Sequence, residues 1–394
     1  MTTTTLSQRP KRLMALDVLR GITIAGMILV NNPGGWDEIY SPLRHASWNG
    51  LTPTDLVFPF FMFIMGVSSY LSLRKYNFEF SMPVVWKIVK RTVLIFFVGL
   101  FLTWFSMFVR GVYSGAEFWE SVLTFDHIRI LGVLPRLALC YGVGSLLGII
   151  FSRKALKWLV AAMLVVYAVI LVFGHGFEFA EHNVIAIVDR AVLGEAHMYT
   201  DYVDGVQLKF DPEGFLSTLP SIAHMLIGFL CGGLIVAYKD NQTRINKLFI
   251  VGTVLTFAGF LLSYGLPINK KVWSPTFVLT TCGLASSFLA LLIWIIDVKG
   301  YRRWGRFFEV FGVNPLFLYC LSWVLALAVG LTRIPWSAAE GGMISIRAFV
   351  YQICLLPVCC GNQALASASF AVLFVLLSWG VGYYLYKNKI YIKL

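Results

Sequence analysis

The chain has 394 residues, 58% of them hydrophobic and 13% charged, with a mean hydropathy of +0.76. Soluble domains carry roughly 25% charged residues, so this composition excludes a soluble globular protein and points to an integral membrane protein. The net charge of +12 does not imply nucleic acid: no basic patch is interleaved with aromatics, and the basic residues fall where cytoplasmic loops hold them.

The apolar stretches are near 20 residues, the length a helix needs to cross about 30 Å of hydrocarbon, and no alternating barrel pattern appears. The expected fold is therefore all-α and polytopic, one transmembrane domain over residues 1–394. The polar, basic start MTTTTLSQRPKR leads into an apolar run too long, and too interrupted by Asp17 and Arg20, for a cleaved signal; it reads as a first span with a cytoplasmic N-terminus. Ten spans are predicted, at 13–31, 53–73, 86–108, 131–151, 157–174, 217–237, 248–266, 276–296, 307–329 and 365–386. On this threading 21 of the 32 Lys and Arg residues lie inside, ten lie outside, and Arg20 lies within the first span. That bias puts both termini in the cytoplasm. The stretch 345–360 is too short to span and reads as a surface or re-entrant helix.

Two outer loops are long, 32–52 and 175–216, and all six histidines fall on or near the outer side, which implies a polar vestibule there. His182 and His197 lack a metal spacing, and no metal is expected. The seven cysteines show no CxxC pair and read as packing residues, with a bridge from Cys354 to Cys359 or Cys360 left open.

Along the chain, several residues carry two readings. Asp17 and Arg20, three apart on the first helix, are a structural ion pair or a ligand contact. Asn31 and Asn32 close that helix as ordinary terminators, yet Asn31 sits roughly 20 Å along the axis from Asp17, so one helix can touch both ends of a threaded ligand. His45 is either a loop residue or a proton acceptor at the membrane surface. Asp55, in TPTD, is a helix cap or the partner that orients His45. Arg129 and Arg136, seven apart on one helix face, need a carboxylate or a ligand group. Asp211 and Glu213 either favour the start of the sixth span or bind a cationic amine. Asn314–Pro315 breaks the ninth span, as a packing kink or as a cavity wall.

The strings LDVLRG, VNNPGG, HASWNGLTPTDLVFPFFMFIMG and RILGVLPRLALCY together resemble the heparan-α-glucosaminide N-acetyltransferases and their bacterial relatives, over nearly the whole chain. The resemblance implies acetyl transfer from cytoplasmic acetyl-CoA, through the membrane, to the amine of a glucosamine. It implies His45 as the catalytic residue and Asn31 as its active-site asparagine, with Asp55 in support. Trp48, Asn49, Arg129 and Asp211 are then expected at the acceptor, and Asp17, Arg20, Arg136 and Asn314 at the donor. The sequence departs from the lysosomal members in lacking their extra N-terminal lumenal segment and span, which leaves the acceptor open; the chain's expected location is a bacterial inner membrane. Its histidine is expected on the periplasmic side, and the family implies a homodimer. The alternatives are O-acetylation of a surface glycan, a transporter built from broken helices, or a structural scaffold.

Overall fold

The computed structural model describes residues 13–338 and 340–392. Nine helices in that range are long and apolar enough to cross a bilayer. They contain α1 (Met14–Asn31), α2 (Val57–Leu73, entered by the turn Pro53–Leu56), α3 (Met82–Tyr113), α4 (Val133–Ile150), α5 (Arg153–Phe173), α6 (Thr218–Ala237), α7 (Asn241–Leu262) and α8 (Pro275–Leu292, prolonged to Val298). A broken pair, α9 (Gly305–Val313) and α10 (Pro315–Leu331), precedes the ninth, α11 (Gln363–Lys387). The starts follow local chemistry. Ser152, Asp240, Ser274 and Asn362 each accept a backbone N–H of the helix they open, satisfying donors that have no intrahelical partner.

The expected break at Asn314–Pro315 is sharp, with α9 and α10 meeting at 86°. Proline at the first position of α10 has no N–H to give back to the preceding turn, so the two helices are independent. The expected third span, 86–108, is longer in the structure: its 32 residues correspond to about 48 Å at about 1.5 Å per residue, more than a bilayer core.

Helices α1, α2, α4, α6 and α8 form the buried interior, while α3, α5 and α7 leave most of their length exposed, as lipid-facing helices do. Tight crossings rest on glycine. A Cβ on Gly66 of α2 would strike the Met225 carbonyl of α6, and one on Gly228 would strike the Phe63 carbonyl, so this pair packs backbone to backbone as small residues in membranes permit.

Outside the spans, the long loop carries a helix, Val184–Leu193, and an antiparallel hairpin, β1 (Thr200–Val203) with β2 (Val206–Lys209). Its turn is Asp204–Gly205, both at positive φ, the dipeptide that a two-residue hairpin favours. A second small hairpin pairs β3 (Arg333–Pro335) with β4 (Met343–Ser345). The stretch after it forms a short apolar helix, Ile346–Val358. All seven cysteines are free, so the bridge at Cys354 is not formed.

Candidate active site

The site is assembled where the 32–52 loop meets the start of α2. Thr52 caps the turn and Asp55 returns the bond: Asp55 Oδ2 accepts from Thr52 N at 3.1 Å, from Thr52 Oγ1 at 3.0 Å and from Ala46 N at 3.1 Å. Asp55 Oδ1 is 2.6 Å from His45 Nδ1. Asp55 is therefore both the first-turn acid of the Thr52 capping box and the hydrogen-bond partner of His45. With Asp55 only 1% exposed and its Oδ2 already saturated, His45 Nδ1–H donates to it. That bond makes Nε2 the acceptor nitrogen of the ring.

Sequence reasoning missed the third member. Lys270, in the loop between α7 and α8, places Nζ 3.0 Å from His45 Nδ1, 3.5 Å from Nε2 and 3.4 Å from Asp55 Oδ1. Burial pulls its ammonium below the usual lysine range, against the attraction of Asp55 and Glu213. One signal was present: Lys270 and Lys271 lie on the side that the charge bias leaves poor in lysine.

These groups line a cavity of ≈ 890 Å³. Asn31, Asn32, Arg129, Glu213, Arg110 and Arg347 share its wall, as do residues of α10 from Leu331 down to Tyr319. That run of helix corresponds to roughly 18 Å at about 1.5 Å per residue, so the cavity reaches far into the bundle. Asn31 is exposed at the end of α1. Its neighbour Asn32 is buried, with Nδ2 on the Ile28 carbonyl at 2.8 Å and its own oxygen without a partner.

Charges on the wall are mostly paired. Arg129 donates to Asp211 at 2.5 and 2.9 Å and to Glu213 at 2.6 Å, and lies over the Tyr199 ring. Burial works against the Arg129 charge, but the two carboxylates outweigh it and raise its pKa. Burial likewise pushes Glu213 up, yet Arg129 and Arg136 hold it below the usual carboxylate range. Arg110 and Arg347 have no carboxylate partner among the described residues.

Several expected ligand contacts lie elsewhere. Trp48 donates to the Phe177 carbonyl at 2.7 Å and packs on Phe179 and Phe210. Asn49 accepts from Asn269 at 3.1 Å, and Gly50 N donates to the Ile268 carbonyl. Neither Trp48 nor Asn49 lines the cavity; they fasten loops to one another, including the one that carries Lys270. Asp211 is wholly buried beneath the wall, bonded to Arg129 and to the backbone of Tyr199 and Glu213, and Glu213 faces the cavity in its place. Arg136 is fully buried off the wall, donating to Gly214 O and Ser217 Oγ. Asp17 and Arg20 form the 3.3 Å ion pair, and Arg20 also donates to Gly312 O and Ser68 Oγ. Asn314 donates to the Ile390 carbonyl and accepts from Ile392 N, pinning the C-terminal tail. His182 meets His175 rather than His197: Glu178 bridges the two imidazoles at 3.0 and 2.9 Å on the exposed surface.

The fold and this site define an all-α polytopic membrane protein with an imidazole oriented by a buried carboxylate in a deep polar cavity. A family model described as "Heparan-alpha-glucosaminide N-acetyltransferase, catalytic" matches residues 12–266, and the chain belongs to that family. It is similar to the heparan-alpha-glucosaminide N-acetyltransferase of Homo sapiens, 29% identical over 369 residues, and to that of Mus musculus, 28% identical over 361. These alignments cover 80% and 78% of this chain and 53% of each relative, so the chain spans about half the length of the curated relatives it matches. The matched range contains His45, Asp55, Arg129 and Glu213, and Lys270 lies just beyond its end.

Proposed function

We propose that the protein transfers an acetyl group from acetyl-CoA to the amine of a glucosamine-like sugar, with the donor entering from the cytoplasmic side and the acceptor from the opposite one. The observation that carries this reading is the His45–Asp55 pair on the wall of a cavity deep enough to admit a long donor arm. The placement of Lys and Arg supports the direction, because a CoA nucleotide is too charged to cross the bilayer and has to remain at the face where it is made.

In the reaction, the sugar amine attacks the thioester carbonyl. His45 Nε2 takes the proton the amine loses as the new C–N bond forms, and Asp55 holds the imidazolium through Nδ1–H. The oxyanion is stabilised by the Asn31 amide and the Lys270 ammonium, which are donors set by the fold before substrate arrives. When the C–S bond breaks, the CoA thiolate takes back the proton from His45, leaving N-acetyl sugar and free CoA thiol.

The test is purified protein in nanodiscs with labelled acetyl-CoA and glucosamine. One CoA thiol should appear for each N-acetyl group formed, and formation of an ester in preference to an amide would move the reading to O-acetylation. No thioester consumption with any amino sugar would overturn it.

A further inference from the structure

A second hollow, of ≈ 350 Å³, lies away from the acetyl-transfer cavity, between the ends of α2, α4, α5 and α6. It shares no lining residue with the first. Its wall includes Tyr70, Phe78, Ile150, Phe151, Ser152 and Arg153, and no carboxylate lines it.

Three features converge there. The 21-residue helix α5 begins at this hollow; Ser152 caps the Ala155 N–H, and the Leu156 N–H is taken by the Ser152 carbonyl, leaving the first amides of a helix N-terminus for an anion. Arg153 sits over the Tyr70 ring at 5.3 Å from its centre and has no carboxylate partner among the described residues. Tyr70 itself is 1% exposed, and its hydroxyl is buried with no hydrogen-bond partner. A buried hydroxyl without a partner is destabilising, and a ligand oxygen would relieve it. The walls are held firmly, since Phe78 packs on Tyr70 at 4.8 Å and Phe229 packs on Tyr70 at 5.0 Å.

The rim is apolar. Ile150 is 54% exposed and Phe151 43%, and Trp158 further along α5 is 78% exposed, the surface and the aromatic anchor that acyl chains meet at a membrane interface. We propose that this hollow binds a phosphate ester, supplied by the headgroup of an anionic phospholipid in the leaflet beside the basic residues Arg74, Lys75, Arg153, Lys154 and Lys157. The phosphate oxygens would take the α5 amides, the Arg153 guanidinium and the Tyr70 hydroxyl, while the chains follow Ile150 and Phe151. This inference stands apart from the transfer chemistry.

Native mass spectrometry of wild type, Arg153→Gln and Tyr70→Phe, each first shown to be monodisperse, tests it with phosphatidylglycerol as probe. Wild type should retain one phosphatidylglycerol, Arg153→Gln should retain it at least 10-fold less, and Tyr70→Phe, which keeps the packing, about 3-fold less. A second arm measures thermal stabilisation in lipid-free detergent by inorganic phosphate and by CoA. Stabilisation that Arg153→Gln loses, without selective lipid retention, keeps the phosphate site and assigns it a soluble source. Equal lipid retention and equal stabilisation in all three proteins overturn the proposal.

Discussion

Two helix starts in this protein share a local design and have opposite fates. At α2 the chain reads Thr52–Pro53 with Asp55 in the first turn; at α10 it reads Asn314–Pro315. Each places proline where its missing N–H costs nothing, next to a buried polar side chain. Asp55 ends on His45 at a cavity wall, whereas Asn314 ends on the backbone of the C-terminal tail. The lesson is that a polar residue at a span boundary becomes chemistry only when its tertiary partner faces open space. Otherwise the same residue is a latch.

Breaking the start of α2 should therefore abolish chemistry and spare the fold. His45→Ala should lower kcat by about 10²–10⁴-fold, the usual worth of a general base. Its melting temperature should stay near wild type, because the side chain is half-exposed and packs little. Retention of more than a tenth of wild-type kcat would remove His45 from the mechanism. Lys270→Met keeps the stem and removes the charge, and should cost about 10–10²-fold in kcat with KM for the sugar little changed. If KM rises instead and kcat holds, Lys270 binds the acceptor rather than the oxyanion.

Asp189 sharpens the comparison, because it is an acid of the 175–216 loop that is fully buried and does not line the cavity. Burial pushes its carboxyl up to about 6, against the Leu216 N–H that it accepts. A folded-state value above the unfolded one gives stability that is complete below about pH 4 and lost as pH rises through about 6. Asp189→Asn should remove that loss, worth about 1–3 kcal/mol over the window, leaving kcat unchanged. Parallel melting curves of the two proteins from pH 4 to 7 would contradict this. The smallest effect is expected at the start of α10: Asn314→Ala removes two hydrogen bonds to the tail and should cost about 1–2 kcal/mol of stability. The KM for acetyl-CoA should stay within about 2-fold; a large rise would return Asn314 to the donor site.

The spans were legible because apolar runs near 20 residues have one physical outcome in a chain this poor in charge. The ends were less so: α3 starts at Met82, before the expected boundary, because Pro83 is tolerated in a helix's first turn, and it runs on to Tyr113. The Asp204–Gly205 turn was written in the sequence but lay inside a loop read only for its charges. His45, Asp55 and the Asn31 wall were legible locally, since ten residues separate His45 from Asp55. Lys270 was not, because it reaches His45 across 225 residues of chain. Trp48 and Asn49 share the His45–Asp55 string yet bond to Phe177 and Asn269 and do not line the cavity: one motif contains residues that hold loops as well as residues on the cavity wall.

The most direct test uses sealed vesicles of known orientation, loaded with labelled acetyl-CoA and given an impermeant amino sugar only on the side where His45 is accessible to labelling. Labelled N-acetyl sugar should appear outside while CoA stays within, and His45→Ala vesicles should give neither. Product that forms only when donor and acceptor share one compartment would contradict transfer through the cavity.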